Sequence, residues 1–376
     1  MFSTAYGQGF QLQTADGKDH THSNTTGGWR TFALPENKSQ AGKRQLTEQK
    51  GNDKASADKT PPAEKNVTAP KKKVKKAAKP SNVVRIISST IDNSALVMAN
   101  DLARLLDDGK KLRIVPIIGK GTAQSLKDIY YLKGVDIGII QTDVLHYYKA
   151  NRKLPEPNKF IRYIATLGAQ EVHVVARKNI KSFKELQGRN VNIGPLEGGN
   201  AITAQAVLKA HQIEINSVHM ENRAALARLK TGAIDAVVIV GGKPVVNLLN
   251  VLATSNEFHL LDINFNETLS KRYNPTVMIH EDYPFLISKD KVVSSVSVDM
   301  VMAMYYWPKG TARYAKVERF VKAFFSNLSN LQTPLYHNKW GEVRIEHDLA
   351  GWKRFQAAKD WLNQDKKKKL SSLPKR

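Results

Sequence analysis

The chain contains no cysteine. That absence excludes disulfides, thiolate metal sites, cysteine nucleophiles and lipid-modified cysteine anchors. Long apolar runs are also lacking, and none approaches the ~20 residues needed to cross a bilayer. The residues after Met1 show no charged stretch followed by an apolar one, as a secretory signal would. If the protein is exported, its signal is expected to have been trimmed or to lie upstream. Aliphatic residues are scarce in the first 80 positions, which close on "PPAEKNVTAPKKKVKKAAKP". Such a stretch buries too little apolar surface to offset the entropy of ordering, so residues 1–80 are expected to be a disordered basic tail and linker.

Carboxylates are in short supply as well: 34 Asp and Glu stand against 58 Lys and Arg, a net charge of +24. Residues 1–80 hold 15 basic and 7 acidic side chains, so most of the excess falls on the remainder. Scattered lysines ordinarily make a solvated surface, and weak contact of the tail with anionic surfaces is the most that composition implies. The cluster Lys71–Lys76 has neither a recognition motif nor interleaved aromatics, so no specific nucleic-acid partner is expected. Signs of catalysis are equally missing. His146 lies beside Tyr147 and Tyr148, where a packing role is ordinary. His173 sits inside an apolar strand pattern, as a core or hinge residue would. His211, His219, His259 and His280 show neither H-x-x-x-H nor H-x-E spacing, and no G-x-S-x-G elbow occurs. No enzyme activity, cofactor or metal is expected.

What is present begins at Ser81. "VVRII" reads as a buried strand, "SALVMANDLARLLDD" as a helix with Leu96, Ala99, Leu102, Leu105 and Leu106 on one side, and "KLRIVPII" as the next strand. A glycine-bearing loop then feeds a helix that Thr122 could cap, and the strand "VDIGII" follows. This βαβαβ order implies a parallel sheet covered by helices. The same syntax returns a hundred residues later through "NVNI", a helix from Ala201, "NSVHMEN", "RAALARLKTG" and "AIDAVVIV". Loop lengths match, and Asp136 and Asp235 stand at equivalent places in the two final strands. Two similar α/β units predict a cleft, because ligands in parallel sheets sit beyond the carboxyl ends of strands, at helix N-termini. The loops so placed are 88–94, 119–122, 141–143, 194–200 and 241–244. Gly198 and Gly199 would let backbone amides approach a ligand, and Asn200 could both cap the following helix and touch the ligand. No Lys follows as in a phosphate-binding loop, and dinucleotide spacing is absent.

The segment "SFKELQGRNVNIGP" resembles the entry to the second lobe of type II periplasmic binding proteins. "GVDIGIIQTDVLHYY", "EVHVVAR", "RLKTGAIDAVVIVGGKP" and "RFVKAFF" resemble the TAXI family, solute-binding subunits of TRAP transporters. The resemblance spans most of residues 81–363 and omits the tail. It implies a two-lobed α/β fold with mainly parallel sheets, lobe 1 comprising residues 81–175 and 298–376 and lobe 2 residues 176–297. The strand "VHVVA" and a returning strand near "SVDMVMAM" would be the hinge, and "RYAKVERFVKAFFSNL" and "DLAGWKRFQAAKDWL" would be helices covering lobe 1. It places Gly121, Thr122 and Ser125 in the family's Gly-Ser-x-x-Asn loop, Gln141 and Asp143 in its Gln-Ser-Asp loop, Gly198 to Asn200 in its Ser-Gly-Thr loop, and Gly241, Gly242 and Pro244 in its Gly-Gly-x-Pro loop. With Ser89, Thr90, Asp92 and Asn93 of the first loop, these are the expected ligand contacts. The function implied is periplasmic capture of a small organic acid or amino acid for a TRAP-type membrane permease, by a monomer. The chain departs from the family at "SSTIDNSALVM", where paired tyrosines are replaced and Asp92 adds a carboxylate, and at Glu197 and Gly198. A zwitterionic or cationic ligand therefore stays open, as does an orphan binding module serving as a sensor or scaffold.

Overall fold

The computed structural model describes residues 82–90, 93–196, 198–252 and 256–371. The expected tail of residues 1–80, and Asp92 and Glu197, lie outside the described residues.

The first unit runs β1 (Val83–Ile87), α1 (Ser94–Leu106), β2 (Arg113–Ile117), α2 (Thr122–Tyr131), β3 (Ile137–Gln141), α3 (Thr142–Ala150) and α4 (Pro157–Phe160). A 17-residue strand, β4 (Ile161–Arg177), leads out of it. The second unit runs β5 (Asn190–Asn192), α5 (Gly199–Ala210), β6 (Asn216–Val218), α6 (Asn222–Thr231), β7 (Ala236–Gly241), α7 (Val246–Leu252), β8 (Phe258–Leu260), α8 (Glu267–Ser270) and β9 (Asn274–Met278). The chain returns along the 13-residue β10 (Val293–Tyr305), and α9 (Ala312–Ser326), α10 (Leu328–Leu331) and α11 (Gln356–Ser371) follow.

All the strands share one sheet in the order β2-β1-β3-β10-β4-β7-β5-β6, with β8 added on β4 and β9 on β10. Each unit is parallel within itself: β1 pairs with β2 and β3, and β5 with β6 and β7. The antiparallel pairings come from the long strands. β10 pairs with β3 and β4, while the far half of β4 pairs with β7, from Glu171 opposite Gly241 to Ala176 opposite Ala236. One continuous strand thus belongs to both units, and a second accompanies it. This is the two-lobed type II periplasmic-binding-protein arrangement, with β4 and β10 as the crossing strands.

Each lobe has apolar cores on both faces of its sheet, which explains why β3 and β7 are buried along their whole length. In the first, Met98, Leu102, Phe320, Phe324 and Trp340 fill one face and Leu126, Ile129 and Tyr148 the other. In the second, Val207, Leu208 and Ile263 lie on one side and Leu226, Leu229 and Tyr283 on the other. The two matched aspartates do the same job. Asp136 Oδ2 accepts the Arg85 backbone N–H at 2.9 Å, and Asp235 Oδ2 accepts that of Asn190 at 2.9 Å. Each carboxylate ties the start of its unit's last parallel strand to the first.

The expected helix over "DLAGWKRFQAAKDWL" starts only at Gln356. Residues 348–355 form a strap instead, because the Arg354 guanidinium donates to the carbonyls of Ile345 and His347 at 2.6 Å each, and the Phe355 N–H donates to Tyr163 O. Gly351, at φ +77°, makes a turn that an α-helix cannot contain.

Candidate functional site between the lobes

The carboxyl ends of the parallel strands in the two lobes face one another, and their glycines let the loops touch. Gly121 lies against Gly198 so closely that a Cβ on Gly121 would stand 3.3 Å from the Gly198 Cα. A Cβ on Gly199 would collide with both Thr122 Oγ1 and Gln141 Oε1. The first turn of α5 is therefore seated directly on the starts of α2 and α3.

A chain of buried hydrogen bonds crosses this contact. Thr122 Oγ1 donates to Gln141 Oε1 at 2.6 Å, and Gln141 Nε2 reaches Thr203 Oγ1 at 3.4 Å. Thr203 Oγ1 donates to Asp143 Oδ2 at 2.7 Å, and Tyr273 OH donates to the same oxygen at 2.9 Å. The other carboxyl oxygen, Oδ1, is buried with no partner. Burial raises the Asp143 pKa above the ordinary range, with the two hydroxyl donors working against it. Thr122, Gln141 and Asp143 come from one lobe, Thr203 and Tyr273 from the other.

Two cavities flank the contact. The smaller, of about 30 Å³, is lined among others by Ser89, Thr90, Asn93, Gly121, Gln141, Gly198, Gly199 and Asn200. That space is on the scale of one or two waters. The larger, of about 250 Å³, shares Asn93, Asn222 and Val240 with it and is lined further by Ser94, Gly241, Gly242, Pro244, Asn247 and His337. The structure thus gathers Ser89, Thr90, Asn93, Gly121, Thr122, Gln141, Asp143, Gly198, Gly199, Asn200, Gly241 and Gly242 along one interlobe seam.

Local detail differs from expectation at two caps. Thr122 is the first helical residue of α2, whose cap is Gly121. Gly198, not Asn200, caps α5. The Asn200 amide is used within its own lobe, with Nδ2 donating to Ile193 O at 2.7 Å and Val238 O at 2.9 Å, and Oδ1 accepting the Val240 N–H at 2.5 Å. It stitches the ends of β5 and β7 together. Asn93 does cap its helix, Oδ1 accepting the Ala95 N–H at 2.9 Å, and also takes the Gln170 Nε2 donor at 3.1 Å.

Several residues at the seam carry no sequence signal of their own. Lys339, buried under the 241–244 loop, bonds Glu171 Oε1 at 2.6 Å and Glu342 Oε1 at 2.7 Å. Glu171 Oε2 accepts the Lys243 N–H at 2.9 Å, and a Cβ on Gly242 would stand 2.9 Å from Lys339 Cε. Desolvation raises the Glu171 pKa, with the Lys339 ammonium opposing it. Beneath the same loop the Val245 N–H donates to Tyr283 OH, which donates to His173 Nε2 at 2.7 Å, while His173 Nδ1 lies 3.2 Å from Ile239 O. Burial drives the His173 pKa down to about 4, so the ring is neutral. Thr203 alone could have been found by pattern, since it stands one turn beyond Gly199 on the same helix face.

Among the described residues no cluster of three or more His, Asp or Glu side chains is placed to hold a metal, and no helix is long and apolar enough to cross a membrane.

The profile of the NMT1-like family matches residues 96–352, which takes in most of both lobes and every seam loop but the first. The chain belongs to the NMT1-like family. Among solved structures, this NMT1-like chain is similar to a mutant of ArgBP from T. maritima, with a TM-score of 0.43, 12% identity, and coverage of 69% of this chain and 96% of that one. It is also similar to AbpA of Streptococcus pneumoniae, an amino acid ABC transporter substrate-binding protein bound to L-arginine, at a TM-score of 0.41 and 12% identity over 74% and 95% of the two chains. A third is the regulatory domain of CcmR from Synechocystis PCC6803 in complex with 2-PG, at 0.40 and 12% identity over 64% and 96%.

Proposed function

We propose that this NMT1-like protein is a periplasmic solute-binding subunit of a TRAP-type transporter, of the TAXI kind, that captures a small polar metabolite between its lobes by hinge closure. The observation that carries the reading is the seam itself. Glycine backbones and small hydroxyls from both lobes meet at helix N-termini, and only β4 and β10 would need to flex for them to part. Lobe 1, residues 81–175 and 298–376, would swing against lobe 2, residues 176–297. The 250 Å³ cavity offers an amino acid or organic acid the Asn93, Asn222 and Asn247 amides and the backbone of Gly241 and Gly242. The chain is a binding protein without catalysis in this reading, works as a monomer, and hands its ligand to a membrane permease. The Gln141/Asp143 and Gly241-Gly242-x-Pro244 pieces support the TAXI kind over other two-lobed binders.

One observation favours a second reading, a sensor or scaffold that takes no transported solute. Thr122, Gln141, Asp143, Thr203 and Tyr273 are hydrogen-bonded to one another across the lobes. A thermal-shift screen of the full chain against amino acids, organic acids and amines separates the two. A ligand at 100 times its Kd should stabilise by about 2.7 kcal/mol. A hit lost in Gln141→Ala and in Asn222→Ala supports capture at the seam, and no hit across all three classes supports the sensor.

A further inference from the structure

A further cavity lies away from the seam. It is a groove of about 790 Å³ in lobe 1, walled by the strap and α11 on one side and by the start of β4 and the end of β10 on the other. Its place follows from the strand register. β3 runs from Ile137, opposite Met304, to Gln141, opposite Met300. Gln141 is at the seam, so Tyr306 and Arg162, beyond the Met304 end, mark the opposite pole of the lobe.

The rim is basic. Lys309, Lys353, Lys359 and Lys366 line it, exposed and without an ion pair among the described residues. Lys359 and Lys366 are two helical turns apart on α11, about 10 Å. A single compact anion would reach one of them; an extended one with repeated charges would reach both. Against them stand Glu346 and Asp348, and Asp348 is already paired to Arg354 at 3.1 Å.

The floor is aromatic, but its rings are covered. Arg162 lies 4.5 Å over Tyr306, Arg354 4.7 Å over Tyr163, and Arg313 4.4 Å over the neighbouring Trp307. Guanidinium groups on those faces leave no platform for stacking bases, which argues against single-stranded nucleic acid. The concave shape likewise argues against a lipid surface, which a protruding apolar edge would enter.

We propose that this polar groove docks an acidic, extended peptide segment of a partner protein, with its carboxylates on the lysine rim. The site is independent of the interlobe seam and stands whether or not a solute binds there.

The test is fluorescence anisotropy of the full chain with a fluorescein-labelled Glu/Gly repeat peptide. The rim pair Lys359→Glu with Lys366→Glu should weaken binding about tenfold or more. The control pair Lys181→Glu with Lys184→Glu, exposed on lobe 2 with the same change of net charge, should stay within about twofold. Equal loss in the rim and control pairs would overturn the proposal, as would no peptide binding. Binding of phosphatidylglycerol vesicles or oligo-dT that the rim pair weakens as strongly as it does the peptide would also overturn it.

Discussion

Asn200 lines the seam cavity and at the same time fastens its own lobe. Its amide serves three backbone groups at the ends of β5 and β7. Asn200→Ala should leave Ile193 O, Val238 O and the Val240 N–H short of a partner and cost about 3 kcal/mol, read as a lower urea midpoint at unchanged slope. His173 gives a second prediction at this scale. Its folded pKa of about 4 lies below the 6.5 of a free ring, so the unfolded chain binds the extra proton in that window. The stability His173 contributes is complete above pH 6.5 and is lost as pH falls towards 4, about 3 kcal/mol in all. Asp143 has the opposite sign: its raised pKa adds stability below the ordinary aspartate value of 3.8 that is lost as pH rises through the folded one. His173→Gln should therefore flatten the fall in stability between pH 6.5 and 4 without removing the Asp143 contribution, as urea titrations at several pH values would show.

Among the elements, the start of α5 and the 241–244 loop decide how the lobes meet. Gly199 occupies the first turn of α5, where alanine would favour the helix yet strike Thr122 and Gln141 across the seam. Gly199→Ala is expected to keep far-ultraviolet dichroism unchanged while the lobes part, seen as a larger radius of gyration in small-angle scattering. The loop rests on the buried Lys339–Glu171 pair, 1% and 3% exposed. Lys339→Met alone strands a buried carboxylate and should cost about 3–5 kcal/mol, whereas adding Glu171→Gln should restore much of that. A double-mutant cycle in urea would measure the difference, and additive losses would show that the two charges do not depend on each other.

For the whole molecule, the parallel units were legible because their signals are local. Apolar runs of strand length, helical spacing in "SALVMANDLARLL" and glycine loops between them each speak within a dozen residues. The repeat added Asp136 and Asp235, whose equal spacing reflects equal backbone contacts. Less legible was the end of lobe 1. "DLAGWKRF" has helical spacing, but Arg354 finds carbonyl partners at Ile345, just before the strap, and at Ile164, and the segment turns at Gly351 in place of a helix.

The sequence by itself determined the two α/β units, their order, and the glycines and small polar residues at the carboxyl ends of their strands, since each depends on neighbours within a few positions. Only the tertiary structure decided that Thr203 and Tyr273 share Asp143 across 60 and 130 residues, and that Lys339 neutralises Glu171 across 168. Those pairings exist because two lobes close over a buried seam, where a polar atom must find a partner from whatever part of the chain arrives opposite it.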